Sequence, residues 1–188
     1  MSAESIVDTM ISLHPLERVP RSGFLLRGVT EPESVAAHSH ALALLTLLVC
    51  ENYPNDFDPV KAVEMALIHD LQEVRTMDIP LPAGSDDFRA AKEKAEEEIF
   101  NSLFERLSPR MVERYAEYSK GNSPEARLVR GLDKAQMMIK VMCYEREGRG
   151  RLDDFWNHMH NFRDFGIPAL QSIFNAIADR AGRAIPGR

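Results

Sequence analysis

The sequence predicts an all-α fold in a single domain, and three observations support this. The length of 188 residues suits one domain with a sizeable core. Apolar residues recur at helical spacing along nearly the whole chain, and no segment shows the alternation typical of a strand. Serine and proline stand at several positions where these periodic segments begin, as is usual at helix N-termini. No internal repeat or low-complexity block interrupts the pattern.

The predicted helices follow from these start signals. Ser34 is suited to capping the second helix, and Pro59 is suited to the first turn of the third. The long sixth helix starts at Ser123-Pro124-Glu125. The range 152–163 is compatible with either helix or irregular structure. In chain order, the predicted helices cover 3–14, 34–51, 59–75, 86–107, 109–119, 123–147 and 168–181.

The connecting segments carry the residues that interrupt helices. Residues 15–33 are rich in Arg, Gly and Pro and are predicted to be irregular. Ile79-Pro80-Leu81-Pro82 is predicted to be a loop, because two prolines cannot both occupy one helix interior. Gly148 and Gly150 are expected to end the long helix.

Two predicted helices have contrasting surfaces. Ile6, Met10 and Leu13 fall on one face of the first helix. The first half of 86–107 is rich in Lys and Glu and is expected to face solvent.

Composition narrows the classes of function. The formal net charge of −6 argues against a surface that binds a nucleic acid polymer, which is normally basic. The longest apolar run, Ala41 to Cys50, is too short for a membrane span, and the N-terminus lacks the pattern of a signal peptide. Cys50 and Cys143 form no metal-binding motif. A disulfide between them remains open, but a reduced, cytoplasmic setting is expected.

His69-Asp70 is the most informative pair in the chain, because it places an imidazole and a carboxylate within an apolar stretch. A buried carboxylate needs a compensating partner, and a divalent cation is one candidate. His38 is in helical register with Leu42, Leu45 and Val49, and Asp133 is in register with three apolar residues of its own helix, so both are expected to point inward. These residues are Val129, Met137 and Val141.

Together, His38, His69, Asp70 and Asp133 would form a site with two nitrogen and two oxygen ligands. Such a set suits one ion of Mn, Co, Fe, Zn or Mg. Each residue also has an ordinary structural explanation. An inward histidine is often only hydrogen-bonded, and an inward aspartate can cap a helix or pair with a neighbouring Lys134 or Arg130.

The ordered set of motifs resembles the HD-domain metal-dependent phosphohydrolase superfamily, and within it the 5′-deoxynucleotidase-like group. The resemblance rests on four stretches between residues 18 and 134. They are Arg18-Val19-Pro20-Arg21-Ser22-Gly23, Pro32-Glu33-Ser34-Val35-Ala36-Ala37-His38-Ser39, His69-Asp70-Leu71-Gln72-Glu73-Val74, and Glu125-Ala126-Arg127-Leu128-Val129-Arg130-Gly131-Leu132-Asp133-Lys134.

The resemblance implies a single HD domain over 1–188, an all-α helical bundle with a motif-bearing core at about 18–147 and C-terminal helices at about 152–181. It implies His38, His69, Asp70 and Asp133 as ligands of one divalent metal ion. It also implies hydrolysis of deoxynucleoside 5′-monophosphates to deoxynucleoside and phosphate, and a homodimer. The predicted partner is a small nucleotide or phosphate ester, with no nucleic acid polymer and no membrane.

The resemblance further implies that Glu73 takes part in catalysis and that Asp78 acts near the leaving group or sugar. Glu73 lies one helical turn after His69, so its carboxylate can approach the same point. The alternative for Glu73 is a surface pair with Arg75 or Lys61. Asp78 follows the helix end, where the alternative is a simple turn-forming role.

Arg21 corresponds to the family's phosphate-binding arginine before the first metal-binding histidine. The stretch Arg21-Ser22-Gly23-Phe24 resembles the family's pattern, although Arg18 and Arg27 lie close by. A guanidinium suits phosphate because it can donate two parallel charge-assisted hydrogen bonds. The alternative is an ordinary surface arginine.

Other functions stay open at this level. The same ligands could serve an HD phosphodiesterase, another phosphomonoesterase, or a non-catalytic metal-stabilised regulatory protein. Di-iron oxygen chemistry is disfavoured, because it needs further histidines and residues 71–132 contain none. His158 and His160 are expected to have surface or packing roles.

Overall fold

The computed structural model describes residues 2–80 and 85–187, and this part of the chain is helical without a β-sheet. The all-α prediction is confirmed. The α-helices are α1 (Ala3–Leu13), α2 (Ser22–Leu25), α3 (Val35–Asn52), α4 (Pro59–Ile68), α5 (Glu73–Thr76), α6 (Asp86–Phe104), α7 (Pro109–Lys120), α8 (Pro124–Arg146), α9 (Asp153–Asn157) and α10 (Pro168–Ala181). Two short 3-10 helices cover His14–Arg18 and Met159–Phe162.

The helix starts follow the predicted signals. The Ser34 hydroxyl accepts a hydrogen bond from the Ala37 N–H, and the Ser123 hydroxyl accepts one from the Ala126 N–H. Pro59 occupies the first position of α4, where its missing N–H is not needed. These caps set where α3, α4 and α8 begin, and those helices surround the candidate site.

α3, α4 and α8 pack against one another, and α10 covers the other side of α8. The main core lies between them and contains side chains with no solvent exposure, among them Leu42, Met65, Leu132 and Leu170. A smaller core joins α6 and α7, where the Phe100 and Tyr115 rings stack with centroids 4.0 Å apart. The bundle therefore holds α3 and α8 rigidly beside the turn that follows α4.

The predicted helix over 59–75 is not continuous. α4 ends at Ile68, and the chain then makes turns held by Leu71 N–H to Ile68 O and Glu73 N–H to Asp70 O. These bonds span three residues rather than four, so the turn is tighter than an α-helix. The Gln72 side-chain amide donates to the His69 carbonyl at 3.0 Å, which satisfies an acceptor in the interrupted helix.

Other boundaries differ in smaller ways. The segment 15–33 was expected to be irregular but contains the 3-10 helix His14–Arg18 and α2. The range 152–163 forms α9 and the 3-10 helix Met159–Phe162. Of the predicted loop at 79–82, residues 81 and 82 lie outside the described residues.

α1 and the charged first half of α6 are largely exposed. No residue of α1 is buried, and Ile6 and Met10 are exposed, because α1 contacts little beyond the 3-10 helix that follows it. The Lys- and Glu-rich first half of α6 faces solvent as predicted, except at Lys92 and Glu96, which form an ion pair at 2.7 Å where the helix packs on the bundle. The charged half of α6 is therefore not wholly solvated.

α3 has the length and composition of a helix that could cross a membrane, with a mean hydropathy of 1.2. It is the only such helix in the part of the chain that the structure describes. The central helix of a water-soluble bundle passes the same test, and α3 packs on both α4 and α8.

Gly131 lies where α8 packs closely against α10. A Cβ at this position would overlap Leu170 Cδ1 and lie 2.9 Å from Leu170 Cδ2. Leu170 is fully buried, so its side chain has little room to move away. The absence of a side chain at 131 allows the two helices to pack.

We therefore predict that Gly131→Ala lowers the free energy of unfolding by about 1–3 kcal/mol through overpacking, despite the better helix propensity of alanine. Urea denaturation followed by circular dichroism measures this. In a Leu170→Ala background the obstructing methyl groups are gone, so the same substitution should be neutral or stabilising. An equal loss in both backgrounds would contradict this account of the packing.

Candidate metal centre

The turn after α4 presents His69 to the interior in a defined orientation. Its Nδ1 lies 2.9 Å from the backbone carbonyl of Ala66. A carbonyl can only accept, so Nδ1 carries a hydrogen and the neutral ring leaves the lone pair of Nε2 facing the site.

His38 on α3 is oriented in the same way by side chains. Its Nδ1 lies 2.6 Å from Gln136 Oε1, and Gln136 Nε2 donates to the Glu33 carboxylate at 3.1 Å. The His38 side chain is completely buried. Its Nε2 therefore also points at the site.

The two imidazoles meet two carboxylates. His38 Nε2 is 3.1 Å from Asp133 Oδ1, and His69 Nε2 is 3.0 Å from Asp70 Oδ2. Asp70 Oδ2 also lies 4.0 Å from His38 Nε2. One ligand atom from each of His38, His69 and Asp133 lies within 4.8 Å of the others. The structure thus brings together all four predicted ligands, from α3, α8 and the turn after α4.

These residues fit a divalent cation. His38 Nε2 and His69 Nε2 are buried and lack a hydrogen-bond partner within residues 2–80 and 85–187. Buried polar atoms without partners are costly, and here both orphans face ionised carboxylates. Two imidazole nitrogens and two carboxylate oxygens form a donor set that several divalent metals accept. A single ion among them would satisfy all four groups.

The electrostatics favour ionised ligands. Burial opposes ionisation of Asp133, but Lys134 and His38 hold its pKa well below its usual range. Burial likewise opposes ionisation of Asp70, yet His69 and Arg21 lower its pKa strongly. Lys134 Nζ is 3.0 Å from Asp133 Oδ2, so the ion pair considered for this aspartate does form, in addition to its contact with His38.

Arg21 projects into the same cluster. Its guanidinium lies 3.5 Å from Asp70, 3.8 Å from Asp78 and 3.9 Å from Asp133. Burial lowers its pKa, but these carboxylates together raise it above the usual arginine value. Arg27, considered as an alternative, instead lies 3.7 Å from Asp154. Arg21 is therefore a largely buried cation at the site rather than a surface arginine, with 13% of its side chain exposed.

Asp78 anchors the segment that carries Arg21. Asp78 Oδ2 accepts the Ser22 N–H at 2.6 Å, and Oδ1 faces Arg21. Met77, just before it, has a left-handed φ of 62°, which turns the chain sharply as α5 ends. Conformations of this kind in non-glycine residues cost about 1–3 kcal/mol and concentrate at functional sites. Asp78 is thus more than a turn former.

Glu73 lies at the start of α5 and is buried, with Oε2 lacking a hydrogen-bond partner in the described chain. Burial, followed by the charges of Asp70 and Asp78, raises its pKa to about 10. A divalent cation beside these carboxylates would lower that pKa.

The surface pairing considered for Glu73 does not occur. Lys61 instead pairs with Glu117 and Glu125, and Arg75 donates to the Ser102 hydroxyl. The buried Glu73 carboxylate therefore belongs to the site.

Three residues near the site were not identified from the sequence. Gln136 supports His38, the Tyr118 ring meets the His69 ring edge-on with centroids 5.6 Å apart, and Lys92 places a positive charge near Glu73. Gln136 follows Asp133 by three residues on α8, so helical spacing could have indicated it. Tyr118 and Lys92 come from other helices and had no local signal. His158 and His160 are exposed and lie outside the site.

Known proteins are similar to this chain over most of its length. Residues 13–170 match the family model described as "HD domain". The 5′-deoxynucleotidase HDDC2 of Xenopus laevis is 30% identical over 188 residues, covering 98% of this chain and 91% of the relative. Human 5′-deoxynucleotidase HDDC2 is 31% identical, covering 82% of this chain and 76% of the relative.

A solved structure supports the fold assignment. A crystal structure of a protein from Pyrococcus horikoshii superposes with a TM-score of 0.76 at 36% identity and covers 93% of this chain and 99% of that one. The family-model match extends over most of the chain and includes every residue of the candidate site. The chain therefore belongs to the HD-domain family.

Proposed function

We propose that this protein is a metal-dependent phosphohydrolase that converts deoxynucleoside 5′-monophosphates to deoxynucleoside and phosphate. The observation that carries the proposal is the convergence of Arg21 and Glu73 on the four-ligand cluster. A cluster that only stabilised the fold would need neither a largely buried guanidinium nor, beside it, a buried carboxyl group whose Oε2 has no hydrogen-bond partner among the described residues. The curated relatives named 5′-deoxynucleotidase support the choice of substrate.

The residues have complementary roles in this proposal. A divalent cation held by His38, His69, Asp70 and Asp133 would supply Lewis acidity toward a phosphoryl oxygen and lower the pKa of water. Arg21 would bind the phosphate oxygens, where negative charge is spread in phosphoryl transfer. Its attachment through Ser22 to Asp78 fixes its position before substrate arrives.

Glu73 would orient the attacking water and accept its proton. Its side chain is buried, so bulk solvent cannot compete for that proton. Asp78 would act near the leaving oxygen or the sugar, since its carboxylate already faces Arg21 at 3.8 Å. The reaction would then depend on positioning and charge rather than on a covalent intermediate.

We also propose that the protein is a homodimer that works in the cytoplasm. α3 and α4 pack side by side, and each carries exposed apolar side chains, including Leu47 and Leu48 on α3 and Leu67 on α4. Cys50 and Cys143 are both free, as in a reducing compartment. A single-chain mass in sedimentation equilibrium would contradict the dimer, and recovery outside the cytosolic fraction would contradict the location.

The proposed function first makes a prediction about the substrate. Purified protein loaded with Mn, Co, Fe, Zn or Mg should release phosphate from deoxynucleoside 5′-monophosphates, and Asp133→Asn should abolish this by removing a ligand carboxylate. A panel of deoxy- and ribonucleoside 5′-monophosphates and 3′,5′-cyclic nucleotides measures it. No phosphate release with any metal would refute the proposal, and turnover of cyclic nucleotides alone would establish a phosphodiesterase instead.

The second prediction concerns Glu73. Glu73→Ala should lower kcat by about 10²–10⁴-fold, because a positioned proton acceptor is lost. Metal content and melting temperature should stay nearly unchanged, since Glu73 is not among the four ligands. Glu51→Ala, at an exposed position of α3, is the matched control. Loss of bound metal, or full activity, in the Glu73 variant would show that its role is assigned wrongly.

The third prediction concerns pH. In the chelator-treated protein the folded state holds the Glu73 proton up to about pH 10, whereas the unfolded chain releases it near 4.5. This contribution to stability is present below pH 4.5 and is lost as pH rises through that window. Glu73→Gln removes the titration, so its stability relative to the unmodified protein should increase with pH. Denaturation at several pH values tests this, and a constant difference would contradict it.

A further inference from the structure

Glu33 lies in the Pro32-Glu33-Ser34 stretch just before α3, and its side chain is only 4% exposed. Its carboxylate accepts from Gln136 Nε2 at 3.1 Å and lies 3.4 Å from Lys140 Nζ. Its backbone N–H donates to the Tyr144 hydroxyl at 2.8 Å. Glu33 is thus fixed against α8 by both its side chain and its backbone.

The direction of each hydrogen bond in this chain of contacts follows from which groups can donate. An ionised carboxylate only accepts hydrogen bonds, so Gln136 must turn its NH₂ group toward Glu33. Its carbonyl oxygen then faces His38, 2.6 Å from Nδ1. His38 must therefore carry its hydrogen on Nδ1, and its Nε2 lone pair faces Asp133. Glu33 is connected to the His38 ring through Gln136, while its own carboxylate lies 3.9 Å from His38 Nδ1.

Glu33 also reaches the other side of the site through its backbone. Its carbonyl oxygen accepts the Arg21 N–H at 3.0 Å. The same residue thereby positions the start of the Arg21 segment and, through Gln136, the ring of His38. His69 differs from His38 in this respect. Its Nδ1 bonds to the backbone carbonyl of Ala66, so no side-chain substitution removes that bond.

We propose that Glu33 and Gln136 are positioning residues that hold His38 in its metal-binding tautomer. The proposal rests on the metal centre proposed above. Outer groups of this kind raise the basicity of a ligand histidine and fix its ring, and their loss commonly weakens metal binding by about 10–100-fold. Lys140 Nζ also lies 3.4 Å from the Glu33 carboxylate, so this carboxylate has a cationic partner as well as the Gln136 amide.

The test uses substitutions with distinct outcomes. In Glu33→Met the Gln136 amide is free to turn over and present its NH₂ group to His38, which would favour hydrogen on Nε2. In Gln136→Met, Nδ1 has no acceptor. The exchange Glu33→Gln with Gln136→Glu retains the original polarity, because the new carboxylate accepts from His38 and the new amide donates to that carboxylate. Glu31→Met, at an exposed position two residues earlier, is the control.

Calorimetric titration of the chelator-treated full-length protein with Mn²⁺ measures affinity, and ¹⁵N NMR of the imidazoles reports the His38 tautomer. We expect the two single variants to bind Mn²⁺ about 10–100-fold more weakly, while the exchanged pair and the control stay within about threefold of the unmodified protein. Hydrogen should sit on His38 Nδ1 in the unmodified and exchanged proteins and move to Nε2 in Glu33→Met.

These measurements test the proposal without an activity assay, so their outcome is independent of the proposed reaction. Unchanged affinity and tautomer in both single variants would overturn it. The proposal would also be overturned if the exchanged pair folded but bound Mn²⁺ as weakly as Gln136→Met. This second test can be made even if Glu33→Met does not fold. If the unmodified protein bound no divalent metal, the proposed metal centre would fail, whereas the NMR result would still decide whether Glu33 sets the His38 tautomer.

Discussion

The concentration of buried negative charge around two imidazoles is the constraint on which the rest of the structure depends. Asp70, Asp78, Asp133 and Glu73 lie close together with little access to water. Charges of one sign cannot be buried together without compensation. Arg21 supplies part of it, and the unpartnered imidazole nitrogens show that the geometry also suits a cation. The helices are arranged so that these groups meet.

The site is built from two kinds of segment, long helices and a tight turn. His38 and Asp133 come from the long helices α3 and α8, whose packing fixes the distance between them. His69 and Asp70 come from the tight turn after α4. That interruption matters, because a continuous helix would direct adjacent side chains about 100° apart, whereas the turn places Asp70 Oδ2 3.0 Å from His69 Nε2.

Much of this was predictable from the sequence, for identifiable reasons. The fold class follows from helical periodicity, and the starts of α3 and α8 follow from the capping residues Ser34 and Ser123. Helical register alone pointed His38 and Asp133 inward. The ordered motifs then selected these residues over the many histidines and aspartates that serve only structural roles. The roles of Glu73, Asp78 and Arg21 remain predictions, although the structure places all three at the cluster.

The rest depended on contacts between distant segments. At the break after Ile68, the Gln72 side chain donates to the His69 carbonyl, a contact that helical periodicity cannot show. The burial of Glu96 follows from the way α6 packs, and α1 remains exposed because little of the chain lies against it. Glu33 and His38 are close in sequence, but the link between them runs through Gln136, which is 98 positions from His38 and 103 positions from Glu33. Spacing within one helix cannot reveal such a chain of bonds.

The missing side chain at Gly131 has a consequence for the chemistry. Gly131 precedes Asp133 by two residues, or about 3 Å along the axis of α8. This helix carries Asp133, Gln136 and Lys140. Any displacement of α8 by α10 would therefore move the ligand Asp133 together with Gln136, which supports the ligand His38. The C-terminal helix α10, which supplies none of the ligands, thus sets the depth at which α8 lies in the bundle. Residues 131 and 170 can be expected to change in size together among relatives, because the metal ligands tolerate little movement.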